Sequence, residues 1–103
     1  MARKERKIRA KQPYREEGLR LRAYRLARHG DRDWKDYAED AQLDAHAYRQ
    51  NENGITCISP PNALLLKQHY GISLDWIYAG DDTGLPIRTI QEIRAELKKL
   101  TKI

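Results

Sequence analysis

The sequence predicts an all-α fold: five short helices, a sixth after a linker, and a basic arm ahead of them. Three observations lead there. Apolar residues recur at helical spacings, and no segment sustains the period-two alternation of a strand. Ser, Asp and Pro stand where helices should begin, and Gly where they should end. At 103 residues the chain is sized for one small core, not two.

Residues 1–14 are basic, contain Pro13 and read as an arm without a fold of their own. Residues 15–28 read as a helix whose face includes Leu21, Tyr24 and Ala27, with Arg20, Arg22, Arg25 and Arg28 filling much of the rest and Gly30 as the stop. Asp33 is placed to cap a short helix over 34–41, with Tyr37, Ala38 and Ala41 inward. A three-residue turn, Gln42-Leu43-Asp44, leads to a third helix over 45–52, capped by Asp44 and ended by Asn53-Gly54. Its Ala47 and Tyr48 are expected to face inward, and Ala45, His46, Arg49 and Gln50 outward. Ser59-Pro60-Pro61 begins a fourth helix, because Pro suits a first turn whose N–H groups lack helical partners, and Gly71 ends it. Ser73 caps a fifth helix over 74–79, ended by Gly80. Residues 81–86 read as a linker and 88–102 as the last helix. The domain division is therefore 1–14 arm, 15–80 helical domain, 81–103 linker and C-terminal helix.

Composition removes several classes. Hydrophobic residues make up 40% of the chain and charged residues 34%. No apolar run approaches the ~18 residues of a membrane span, and the basic start has no apolar stretch behind it, so neither a transmembrane helix nor a secretory signal is expected. Cys57 stands alone, which excludes an internal disulfide and fits a reduced, cytoplasmic setting. His29, His46 and His69 lack partners at ligand spacing, so no metal is expected. No nucleophile–base pattern and no cofactor motif appears, so an enzyme is not expected.

Charge points to a partner. The net charge is +5, but residues 1–28 carry eleven Lys/Arg against three Glu, while 29–103 carry nine against twelve acids. A basic arm on a mildly acidic body suits a polyanion, since each Lys or Arg that neutralises a phosphate releases a condensed counterion. The two short helices and tight turn from Asp33 to Glu52 add a helix-turn-helix pattern. The major groove admits one helix, and the second helix of such a pair needs polar residues outward and apolar residues inward.

Here the chain resembles the Xre, or lambda-repressor/Cro-like, helix-turn-helix regulators. Ala38, Leu43, Asp44, Tyr48, Glu52 and Gly54 fall at that family's spacings. Residues 18–25 are similar to its first helix, and 64–80 to its closing helices, so the resemblance covers about residues 17–80. Gln42 departs from the family's usual Gly and would have to adopt a left-handed backbone. Asn51 stands where an apolar residue is usual, Asp33-Trp34 replaces the usual Ser/Thr-Gln, and the first loop is about two residues longer.

The resemblance implies a five-helix DNA-binding domain and a bacterial or phage regulator of transcription associated with the nucleoid. Ala45, His46, Arg49 and Gln50 are then candidates to read bases, with Arg49 reaching either a guanine or a phosphate. Arg32, Trp34, Lys35, Asn53 and Thr56 are candidates for the phosphate backbone, though Trp34 equally suits packing under the first loop. From the charge of the arm rather than from the resemblance, Arg3, Lys4, Arg6, Lys7, Arg9 and Lys11 are candidates to enter a minor groove or follow phosphates, with a solvated tail as the alternative. Arg25 and Glu52 correspond to the family's buried ion pair. Asp36, Glu39 and Asp40 form an acidic face that in activators can touch RNA polymerase. Ile90, Ile93, Leu97 and Leu100 are spaced 3, 4 and 3, which suits either a homodimer seam or packing onto the chain's own core. A protein-docking module, such as an antitoxin or a polymerase-docking cofactor, and a nonspecific nucleic-acid binder are the rival readings.

Overall fold

The computed structural model describes residues 11–30 and 32–101. It contains six helices: α1 (Arg15–His29), α2 (Trp34–Asp40), α3 (Ala45–Glu52), α4 (Pro60–Tyr70), α5 (Leu74–Ala79) and α6 (Ile87–Thr101). Among the described residues there is no strand, so the all-α expectation holds. Among the described residues, no helix is long and apolar enough to cross a membrane.

The local signals act as their chemistry requires. The Asp44 carboxylate accepts from the Ala47 N–H at 2.9 Å, Ser59 Oγ from Asn62 at 3.3 Å, and Ser73 Oγ from Trp76 at 3.0 Å. Each such cap contributes about 1 kcal/mol. Gly71 and Gly80 close α4 and α5 in the left-handed conformation. Asp33 occupies the cap position of α2, but its side chain makes no cap bond there.

α1 is the spine on which α3, α5 and α6 pack, while α2 rests on α3 and α4 on α5. The core combines aliphatic Leu21, Ile58, Leu66, Ile72, Ile77 and Ile93 with Tyr24, Tyr37, Tyr48 and Trp76. Full burial of each large side chain contributes roughly 1.5–3 kcal/mol. The aromatic groups are also bonded. Tyr24 Oη donates to the Tyr70 carbonyl at 2.9 Å, Tyr70 Oη to the Tyr37 carbonyl at 2.6 Å, and Tyr78 Oη to the Ile58 carbonyl at 2.7 Å. Trp76 Nε1 donates to the Arg20 carbonyl at 3.1 Å, and the Tyr37 and Tyr70 rings stack at 4.1 Å.

α1 meets the end of α3 through glycine. A Cβ on Gly18 would lie 2.5 Å from the Glu52 carbonyl oxygen and 2.8 Å from the Gly54 nitrogen, so only hydrogen fits.

Of the two readings of Ile90, Ile93, Leu97 and Leu100, packing onto the chain's own core is the one the structure shows: Ile93 is fully buried, and the other three pack against the same core. Spacing of 3, 4 and 3 serves any helix lying along another, and here the other helix is the chain's own α1. Three expectations are corrected. The segment 81–86 is more than a linker, because Leu85 enters the core and its N–H donates to the Asp82 carbonyl. The arm joins the fold before residue 15: Gln12 Nε2 donates to the Asn53 carbonyl at 2.8 Å, and the Tyr14 N–H to the Gly54 carbonyl at 3.0 Å. In α3, Ala47 is exposed and Ala45 is half-buried against the core, the reverse of the expected facing.

Candidate nucleic-acid interface

The α2–α3 turn sets the angle of α3. The Leu43 N–H bonds back to the Ala38 carbonyl at 2.9 Å, and its side chain is buried. Gln42 takes φ 68°, a left-handed backbone that costs a non-glycine residue about 1–2 kcal/mol. Leu43 anchors the turn below and Asp44 caps the helix above it, leaving one side of α3 against α1 and α2 and the other uncovered.

The buried side of α3 is held by charge. Glu52 accepts from Arg25 Nε at 2.7 Å and Nη2 at 2.9 Å, from Tyr48 Oη at 2.5 Å and from Arg22 Nε at 3.5 Å. Arg25 spends a further N–H on the Arg32 carbonyl at 3.1 Å. Burial works against the Arg25 charge, but the Glu52 bonds outweigh it and raise its pKa above the ordinary arginine value. Burial and then the Glu52 charge push Tyr48 well above the usual tyrosine range, so its hydroxyl stays a donor. Asn51, buried where an apolar residue was expected, donates to the Thr56 carbonyl at 3.2 Å and to Thr56 Oγ1 at 2.9 Å, which ties the following loop to α3.

On the open side, His46, Ala47 and Arg49 are exposed and Gln50 is half-exposed. His46, Arg49 and Gln50 are three and four residues apart and share one helix face. The Arg49 guanidinium carbon stands 4.5 Å over the Trp34 ring. Trp34 itself is half-buried and packs on the core.

The candidate phosphate contacts surround this face unevenly. Lys35 is exposed. Arg32 is paired with Asp40. Asn53 Oδ1 accepts from Arg22 Nη2 at 2.9 Å, and Thr56 Oγ1 is held by Asn51. Lys11 is exposed, while Arg3, Lys4, Arg6, Lys7 and Arg9 lie outside the described residues. In the acidic face, Asp36 and Glu39 are exposed and Asp40 is engaged by Arg32.

Sequence reasoning missed Arg22, which links Glu52 to Asn53 at the end of α3. Its signal was available: it lies three residues before Arg25, on the same side of α1. Glu17 was also missed. It is buried and accepts from the Ile58 N–H at 3.1 Å and the Cys57 thiol at 3.4 Å; burial and then the Glu17 bond raise the Cys57 pKa. Among the described residues, no cluster of His, Cys, Asp or Glu has the geometry to hold a metal ion.

No protein-family model, curated protein or solved structure matches the chain.

Proposed function

We propose that this protein is a sequence-specific duplex DNA-binding regulator of transcription, with α1 to α5 arranged as a lambda-repressor-like domain and α3 entering the major groove. The observation that carries the reading is the uncovered face of a short, capped helix on which His46, Arg49 and Gln50 stand together. An α-helix about 10–12 Å across fits a major groove about 12 Å wide. Gln pairs bidentately with adenine, and a His N–H can donate to guanine acceptors. Lys35 and Lys11 offer exposed cations for phosphates, which fix register without reading sequence. The proposal takes no dimer contact from Ile90, Ile93, Leu97 or Leu100, which the chain's own core uses.

Selection from random-sequence duplex DNA at moderate salt tests this. An enriched motif is expected, and His46→Ala or Gln50→Ala should each relax preference at particular base pairs by about 1–3 kcal/mol. If no motif emerges, the reading fails and a protein-docking role takes its place.

The charge excess in residues 1–28 favours a second, nonspecific component. Truncation of residues 1–11 should then weaken all sequences together and flatten the salt dependence. Loss of all binding on that truncation, without sequence preference in the full chain, would make the protein a general nucleic-acid binder.

A further inference from the structure

From the Arg49–Trp34 contact we infer that Arg49 reads a guanine and that Trp34 is the residue that positions it. This rests on the reading of α3 as the groove-entering helix. The two side chains come from different helices: Trp34 opens α2, and Arg49 lies in the second half of α3. Trp34 is seated on the core, so its ring is a fixed platform, whereas Arg49 is exposed and would otherwise sample many rotamers. Contact of the guanidinium with a ring spends none of its five N–H donors, which lie in the guanidinium plane. Among the described residues Arg49 makes no salt bridge and no side-chain hydrogen bond, so none of them takes those donors. Other arginines nearby are committed: Arg25 to Glu52, Arg22 to Glu52 and Asn53, and Arg32 to Asp40.

The chemistry that suits such a group is the paired acceptors O6 and N7 of guanine, which take two parallel N–H bonds from one arginine. A phosphate would accept the same charge from any rotamer and would gain little from a platform. His46, one turn before Arg49 on the same face, places the arginine on the base-facing stripe. Trp34 thus acts through Arg49 and touches no base.

The experiment begins with the full chain and its selected DNA site. Affinity is measured for that site and for versions in which each G·C pair in turn is replaced by A·T. For one G·C pair, wild type should prefer guanine by about ten-fold or more, and Arg49→Lys, which keeps the charge but loses the fork, should abolish that preference. Trp34→Leu keeps apolar packing and removes the π face. It should reduce the same preference by about two- to five-fold, while leaving affinity for the A·T version unchanged. Trp34→Tyr should restore most of the preference. A loss of stability alone would lower affinity for both DNA versions together, so the difference between them isolates the positioning role.

If Arg49→Lys or Trp34→Leu weakens both versions equally, or neither, the inference is overturned while the DNA-binding reading stands. If no selected site exists, both fall.

Discussion

Replacement of Glu52 by Ala should be among the most damaging single changes in this chain, and its cost can be worked from the contacts. The substitution strands the guanidinium of Arg25, a residue only 8% exposed, after removing its bonds at 2.7 and 2.9 Å. The Arg32 carbonyl remains its partner, and the Tyr48 hydroxyl loses its acceptor. Breaking a buried ion pair from one side costs about 3–5 kcal/mol. A domain of this size has a total stability of about 5–15 kcal/mol, and each kcal/mol moves its midpoint by about 4–8 °C. Glu52→Ala should therefore lower Tm by at least about 12 °C, read by circular dichroism at the helical minimum, with a parallel fall in the urea midpoint. The triple variant Arg25→Met, Glu52→Met, Tyr48→Phe removes all three polar groups and should recover much of the loss, because no charge or hydroxyl is left buried without a partner. A loss below about 1 kcal/mol for Glu52→Ala, with no recovery in the triple variant, would refute the argument that this network is buried and mutually dependent.

Three further outcomes follow from individual residues. Gly18→Ala should gain up to about 1 kcal/mol from helix propensity but lose more, because its Cβ would sit 2.5 Å from the Glu52 carbonyl; chemical denaturation should show a net loss of about 1–3 kcal/mol, and a stabilised variant would contradict the α1–α3 approach. Gln42→Gly should raise stability by about 0.5–1 kcal/mol in the same assay, since relief of the left-handed strain outweighs the added freedom of the unfolded chain. His29 packs edge-on against Tyr37 and Tyr70 at 5.1 and 4.7 Å, and burial, followed by Arg32, Arg28 and His69, lowers its pKa. The unfolded chain then binds the proton more readily: His29's stability contribution is intact above the unfolded value of about 6.5 and is lost as pH falls through and below it. Tm should decline on acidification through that window, and His29→Gln should reduce the decline.

Much of the fold was legible because its signals are local. Asp44, Ser59 and Ser73 cap helices at the expected places, and the left-handed turn at Gln42 followed from the missing glycine. Arg25 and Glu52, named from a resemblance, do meet. The orientation of α6 was not legible, since the same apolar stripe serves a partner chain or the chain's own α1. The exchange of Ala45 and Ala47 was hidden because alanine fits either side of a helix at little cost. The Trp34–Arg49 contact was invisible for another reason: the residues lie on different helices, and only the turn angle set by Gln42 and Leu43 brings them together. Asn51 looked like a defect until the Thr56 loop supplied its partners.

The tyrosine hydroxyls tie rings to carbonyls on other segments, and this limits slippage. An oily interior of equal volume would let one rod slide past the next with little penalty. Here a small slide would break the bonds of Tyr24, Tyr70 and Tyr78 together. The scaffold beneath the uncovered helix is thereby stiffened, and the adaptability left to the protein lies in the side chains that the helix carries outward.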